Sequence, residues 1–100
     1  MEESKIERYL KKQIELLGGQ ALKFVSPGVS GVPDRIVLLP HGKIIFIELK
    51  APGKKVRPIQ EYQIKKIRAL GFRVEIIDSI EKVDEFIEEE KRDKNRLFKN

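Results

Sequence analysis

The chain has 100 residues, which is enough for one domain, and 40% of them are hydrophobic, which is enough for one modest core. It contains no cysteine, which excludes a disulfide framework, thiolate catalysis and cysteine-ligated zinc or iron–sulfur sites. The N-terminus is charged and no apolar stretch reaches membrane length, so we expect a cytoplasmic protein with neither signal peptide nor transmembrane helix.

Charge is distributed unevenly along the chain, whose net charge is +5. Residues 50–73 carry eight basic side chains and one acidic side chain, a net of +7. Residues 75–90 carry eight acidic side chains and one basic side chain, a net of −7. The basic stretch would attract a polyanion such as DNA. The alternative is that two helices present solvated faces of opposite charge.

The first predicted element is a helix that Ser4 opens, because Ser4 and Glu7 have the spacing of a capping box. Gly18 and Gly19 end this helix. Its apolar residues repeat at helical spacing and predict one buried stripe: Ile6, Tyr9, Leu10, Ile14 and Leu17. Strands follow over residues 21–25, 32–39 and 44–49, and the second and third of these are joined by a hairpin turn at residues 40–43.

After a basic loop, Pro58 suits the first turn of a second helix, whose predicted buried residues are Ile59, Ile64, Ile67 and Leu70. A fourth strand covers residues 73–77, and Asp78-Ser79 caps a third helix with Val83, Phe86 and Ile87 on its inner face. The order αβββαβα predicts an α/β fold with a mixed β-sheet flanked by helices. We expect a single domain over residues 1–92 and a charged tail over residues 93–100.

Three charged residues border the apolar runs of the predicted hairpin. Asp34 precedes the run that starts at Ile36, and Glu48 and Lys50 close the run that starts at Ile44. Side chains two residues apart in a strand share a face, so Glu48 and Lys50 point the same way and Asp34 can join them. Burying such groups is costly unless they pair or bind a metal. Two carboxylates and an ammonium are what a magnesium-dependent phosphodiester nuclease needs.

With these residues on this order of elements, the chain resembles the PD-(D/E)XK nuclease superfamily and its restriction-endonuclease-like fold. More closely, it resembles the stand-alone VRR-NUC domains of bacteriophages, which are related to Holliday junction resolvases. The resemblance covers about residues 3 to 88. It is carried by three segments: Gly31-Val32-Pro33-Asp34-Arg35, Ile47-Glu48-Leu49-Lys50-Ala51-Pro52-Gly53 and Arg57-Pro58-Ile59-Gln60.

The resemblance implies a role for each residue of the motif. Asp34 and Glu48 would be carboxylate ligands of Mg²⁺, for which Mn²⁺ can substitute, and the backbone carbonyl of Leu49 would be a third ligand. Lys50 would orient or deprotonate the attacking water and stabilise the charge that develops on the phosphate.

Two further site residues are implied, each with an alternative. Glu7 matches the acidic residue that the family carries on its first helix, but it is also the predicted capping partner of Ser4, and Glu3 lies one turn earlier. Gln60 matches the glutamine that contacts the water or the phosphate, and Gln63 lies one turn after it.

Contacts with the DNA backbone are expected from the two loops that flank this motif. Such contacts position the substrate without reading its sequence. The expected residues are Lys54, Lys55 and Arg57 in the basic loop, and Ser26 and Ser30 in the loop before Asp34.

The resemblance therefore implies a Mg²⁺-dependent, structure-specific DNA endonuclease that cleaves four-way junctions as a homodimer, encoded by a phage or prophage and acting in a bacterial host. The alternatives are a flap or nicking nuclease, an exonuclease with the same chemistry, and a DNA-binding module without catalysis. An intact set of Asp34, Glu48 and Lys50 argues against the last of these.

Overall fold

A computed structural model describes the backbone of residues 2–97 and the side chains of residues 2–94. The regular elements follow the predicted order αβββαβα, with a short 3₁₀ turn in the hairpin. In chain order they are α1 (Glu3–Leu16), β1 (Gln20–Lys23), β2 (Arg35–Leu39), the 3₁₀ turn (Pro40–Gly42), β3 (Lys43–Leu49), α2 (Pro58–Ala69), β4 (Arg73–Ile77) and α3 (Ile80–Leu97). The predicted α/β fold with a mixed, helix-flanked sheet is confirmed.

The sheet has the strand order β1-β2-β3-β4. β1 and β2 pair antiparallel, as do β2 and β3, whereas β3 and β4 pair in parallel because α2 crosses over between them. Arg35 pairs with Ile47. This register places Asp34, the residue before β2, beside Glu48 near the end of β3.

Two strands are shorter than the sequence predicts. β1 ends at Lys23 rather than Val25, and β2 begins at Arg35 rather than Val32. The N–H of Phe24 still donates to the carbonyl of Asp34 at 2.9 Å. Beyond that bond Pro33 has no N–H to donate, so the ladder between these two strands stops there.

The hydrophobic core lies on one face of the sheet, beneath α1 and α3. The stripe predicted for α1 is confirmed, since Ile6, Leu10 and Ile14 are fully buried. The sheet contributes Val37, Leu39, Ile45, Ile47, Leu49 and Ile77, and α3 contributes Val83, Phe86 and Ile87, as predicted. The hydroxyl of Tyr9 donates to the Asp84 carboxylate and links the two helices.

α2 lies on the opposite face, against β4. The buried stripe predicted for it is wrong in part, because Ile64 is buried while Ile59 and Leu70 are exposed. A buried Gln60 occupies the helix face where an apolar side chain was expected. Its position follows from the polar contacts that it makes with β3, which are described below.

The predicted capping box at the start of α1 is also wrong. The helix begins at Glu3, and the Ser4 hydroxyl donates to the Glu2 carboxylate instead of capping the first turn. Glu7 pairs with Arg35 at 2.7 Å. An ion pair between elements has therefore replaced the predicted local hydrogen bonds of the capping box.

The start of α3 agrees with prediction, because the Ser79 hydroxyl accepts the N–H of Lys82 at 3.1 Å. The helix continues to Leu97, and the boundary predicted at residue 92 stays a prediction. Within residues 2–97, every helix is too short or too polar to cross a lipid bilayer.

Candidate active site

The end of β3 and the residue before β2 bring Asp34 and Glu48 together. Asp34 Oδ1 accepts the backbone N–H of Leu49 at 3.1 Å. That bond holds the first carboxylate against the strand that carries the second. Because Leu49 points into the core, Glu48 and Lys50 point to the opposite face of the sheet, as the alternation of a strand requires.

Glu48 is the most unusual residue of this site, because its carboxylate is buried with only 3% of the residue exposed. Its Oε2 atom accepts Gln60 Nε2 at 3.0 Å and lies 3.4 Å from Lys50 Nζ. Among the described residues, nothing donates a hydrogen bond to its buried Oε1 atom. A buried carboxylate oxygen without a donor is costly, and a cation bound there would offset the cost.

Gln60 is held in a single orientation by two bonds. Its Oε1 atom accepts the backbone N–H of Arg57 at 2.8 Å, which leaves its Nε2 atom to donate to Glu48. Pro58 starts the helix and lacks an N–H. The first turn therefore has few donors that compete with the Arg57 N–H for Gln60 Oε1. Gln60, and not Gln63, supplies this contact to the site.

Burial and repulsion from a neighbouring acid act on both carboxylates. Burial raises the pKa of Asp34, the negative charge of Glu3 adds to the rise, and the Leu49 N–H and Arg35 oppose it. Burial likewise raises the pKa of Glu48, as does the charge of Asp34, while Lys50 opposes it. The negative charge of Asp34 and Glu48 is therefore not fully compensated, and a bound divalent cation would supply the compensating positive charge.

Glu7 and Arg35 form a link between α1 and the site. Arg35 Nη2 pairs with Glu7, and Arg35 Nη1 donates to the backbone carbonyl of Asp34 at 2.8 Å. Glu7 is thus engaged by Arg35, and the acid of α1 whose charge acts on Asp34 is Glu3. Sequence reasoning gave Arg35 no role. Its position directly after Asp34 was the signal available.

The described residues contain no group of three or more histidine, cysteine or acidic side chains placed to hold a metal ion. The two carboxylates that the structure brings together at this point are Asp34 and Glu48, and their ligation of a metal is a prediction. Ligation by the Leu49 carbonyl and by Glu7 stays a prediction. Mg²⁺ is commonly held by one or two carboxylates together with waters and substrate phosphates, so a two-carboxylate set fits it.

The loops around the site carry the residues expected to contact DNA. Lys54, Lys55 and Arg57 are exposed in the loop between β3 and α2, directly after Lys50. Ser30 is exposed and Ser26 is half-buried in the loop that leads to Asp34. The structure thus places both loops beside the carboxylate pair, and contact with DNA stays a prediction.

Comparisons with known proteins identify the family of the chain. The family model of the VRR-NUC domain matches residues 3–81. The chain is 52% identical over 77 residues to "Putative nuclease p44" of Acyrthosiphon pisum secondary endosymbiont phage 1, covering 77% of this chain and 83% of the relative. A solved structure described as a "VRR_NUC domain" superposes with a TM-score of 0.81 at 37% identity, covering 86% of this chain and 94% of the other. The chain therefore belongs to the VRR-NUC family.

Proposed function

We propose that this protein is a Mg²⁺-dependent, structure-specific DNA endonuclease that hydrolyses phosphodiester bonds, with four-way junctions as its substrate and a homodimer as its active form. The observation that carries the chemistry is the buried Glu48 carboxylate, whose Oε1 atom lacks a donor in the described residues although Asp34, Lys50 and Gln60 surround it. The nuclease class is supported by family membership and by the name of the phage relative.

Asp34 and Glu48 would hold the cation, and the chain's own bonds prepare them to do so. The Leu49 N–H fixes Asp34 Oδ1, and Gln60 fixes Glu48 Oε2, so binding would require little rearrangement of either carboxylate. A divalent cation bound there would lower the pKa of water and offset the charge of a phosphate.

Lys50 is the proposed catalytic cation of the protein itself. Its side chain is 14% exposed, and Nζ lies 3.4 Å from Glu48 Oε2, so the ammonium is held at the mouth of the site. From this position it can orient the attacking water and stabilise negative charge on the phosphate. Gln60 acts as a positioning residue, because its amide holds Glu48 and is itself held by the Arg57 N–H.

Recognition of DNA shape, rather than sequence, is proposed because three exposed cations lie together in the loop that follows Lys50. Lys54, Lys55 and Arg57 would bind phosphates there. A homodimer with two sites would suit paired cuts across a junction. The p44 relative is a phage protein, and we propose the same setting for this chain, with action in the cytoplasm of a bacterial host.

The test is cleavage of an end-labelled four-way junction, compared with a linear duplex and a flap of the same sequence, in Mg²⁺, Mn²⁺ or EDTA. Glu48→Gln should lose at least about 100-fold in cleavage rate, because it removes a ligand charge while keeping the shape of the side chain. Glu61→Gln is the matched control, since Glu61 is exposed and, among the described side chains, pairs with Lys65 across one helical turn.

Each outcome decides one part of the proposal. Metal-dependent paired cuts confined to the junction would support the full proposal, and cuts in flaps or duplex would keep the nuclease and remove the junction preference. Degradation that stops when the DNA ends are blocked would indicate an exonuclease. Tight binding without cleavage in any metal would refute the enzyme and leave a DNA-binding module.

A further inference from the structure

A groove of about 250 Å³ runs between α1 and β1, next to the carboxylate pair but outside it. We call it the α1–β1 groove. Four of its seven lining side chains are charged, namely Glu7 and Lys11 of α1, Lys23 of β1 and Arg35 of β2, and the other three are aliphatic. Pockets for small organic ligands are mostly apolar, so this lining favours an ionic partner.

The α1–β1 groove begins directly beside the site. Arg35 Nη1 donates to the backbone carbonyl of Asp34, and Arg35 Nη2 pairs with Glu7. Glu7 and Lys11 lie one turn apart on the same flank of α1, a rise of about 5.4 Å. Lys23 is the register partner of Arg35, at the ends of β1 and β2 that lie nearest the site. The groove therefore starts at the residue after Asp34 and extends along α1.

The positive charge of this groove is only partly compensated within the fold. Lys23 and Arg35 stand directly opposite each other on one face of the sheet, where like charges are destabilising. Glu7 compensates Arg35. Lys11 and Lys23 are exposed, and among the side chains that the structure describes neither has an acidic partner. An anion bound between these two lysines would supply the compensating charge.

The place of the groove in the sheet identifies the anion. The site is formed by the residue before β2 and the end of β3, and in the strand order β1-β2-β3-β4 the groove lies at β1. The basic loop lies on the other side of the site, where β3 leads into α2. A DNA backbone cut at this site carries further phosphates on both sides of the scissile bond. Lysine contacts with such phosphates position DNA without reading its sequence.

We propose that the α1–β1 groove binds backbone phosphates of the DNA substrate through Lys11 and Lys23, on the side of the site away from the basic loop. DNA is then held at two places, with the scissile phosphate between them. Because this grip uses DNA on both sides of the scissile bond, it favours internal cleavage over removal of a terminal nucleotide. The inference rests on the proposed function and adds to it the path of the DNA across the site.

The test is the affinity of the full chain for the uncleaved four-way junction, measured by fluorescence anisotropy in EDTA over a series of salt concentrations. Each phosphate contact contributes about 0.7–0.9 to the slope of the logarithm of the binding constant against the logarithm of the salt concentration. Lys11→Gln and Lys23→Gln should each flatten this slope by about that amount. At about 0.1 M salt, each should weaken binding by about fivefold to tenfold.

Two controls separate a phosphate contact from a general or structural effect. Lys12→Gln removes the same charge from an exposed residue that does not line the groove, so its slope should match that of the wild type. An equal loss in this variant would overturn the proposal, because it would show an effect of net charge alone. Lys23→Gln should melt at or above the temperature of the wild type, since it removes a like-charge pair with Arg35.

The outcomes distinguish the groove from the nuclease. A wild type that binds and cleaves DNA, with unchanged affinity and slope in both lysine variants, would overturn the groove and leave the nuclease. Weaker binding and a flatter slope in the lysine variants, in a chain that cleaves no DNA in any metal, would support the groove and refute the nuclease. A wild type that binds no DNA would overturn both.

Discussion

The ionised forms of Asp34 and Glu48 are each less stable in the metal-free fold than in water. Burial raises the pKa of both, and each receives repulsion from another acid: Glu48 from Asp34, and Asp34 from Glu3. A carboxylate whose folded-state pKa is raised favours folding while protonated, and this contribution is lost as the pH rises through that raised pKa. At neutral pH the metal-free pair therefore reduces stability, as residues selected for function often do.

This residue-scale balance predicts that removing the charge stabilises the metal-free protein. Asp34→Asn keeps an oxygen that can accept the Leu49 N–H, and Glu48→Gln keeps one that can accept Gln60. In EDTA at pH 7, both variants should melt at a higher temperature than the wild type. The difference should shrink as the pH is lowered toward roughly 4, where the unfolded chain also takes up the protons.

Differential scanning calorimetry across this pH range provides the check, with Glu61→Gln as the control. Its exposed i, i+4 pair with Lys65 contributes little, so its melting temperature should match that of the wild type. Variants at Asp34 and Glu48 that melt well below the wild type in EDTA would show that these carboxylates support the fold.

At the scale of elements, the loop before Asp34 sets the position of α2. Gly31 has a φ of +86°, and a Cβ atom at this position would lie 2.6 Å from the backbone carbonyl oxygen of Ile59. That contact places the loop against the first turn of α2, one residue before Gln60. The loop that leads to Asp34 and the helix that carries Gln60 are thus joined at Gly31 as well as through the sheet.

Gly31→Ala should therefore displace α2 and impair the site, whereas Gly28→Ala should not. Gly28 has a φ of +82°, but a Cβ atom there would meet nothing within 4 Å. Both variants incur the cost of a left-handed backbone, about 1 kcal/mol, and Gly31→Ala adds a steric clash that should bring its total to about 2–3 kcal/mol. Chemical denaturation and cleavage rates measure both effects. Equal losses in the two variants would contradict a specific contact with α2.

The sequence alone predicted part of the arrangement of these elements. The hairpin, the crossover and the α1 stripe followed from short-range periodicity, which the packed core preserved. The Ser4–Glu7 capping box failed because Arg35, distant in sequence, competes for Glu7. Ile59 was predicted to be buried, and Gln60 is buried instead, because a polar contact with β3 sets the rotation of α2. Long-range polar pairing leaves no periodic signal, so the hydrophobic pattern showed neither outcome, although the family resemblance had implied Gln60 as a site residue.

In the molecule as a whole, part of the acidic stretch of residues 75–90 forms ion pairs inside the fold. The buried carboxylate of Glu90 on α3 pairs with Lys43 of β3 and with Arg73 of β4, and Lys43 also pairs with Asp93 at 3.0 Å. These pairs clamp α3 to the core face of the sheet. The acidic helix is therefore more than a solvated face.

The basic side chains of residues 50–73 likewise divide into those that stabilise the fold and those that stay exposed. Arg73 belongs to the clamp on α3, and Arg68 donates to the carbonyl of Val74 at 2.7 Å. Lys50 lies in the site itself, and Lys54, Lys55 and Arg57 are the exposed cations of the loop that follows it. DNA would consequently approach from the side of α2 and the basic loop, while the acids of α3 lie on the opposite face of the sheet.

The central claim is that Asp34 and Glu48 together bind a divalent cation, and the most direct measurement is a calorimetric titration of the protein with Mn²⁺ in the absence of DNA. The wild type and Glu61→Gln should bind with equal affinity, and Asp34→Asn and Glu48→Gln should each weaken binding by about 100-fold or more. Unchanged Mn²⁺ binding in these two variants, or no binding by the wild type, would contradict the assignment of the site.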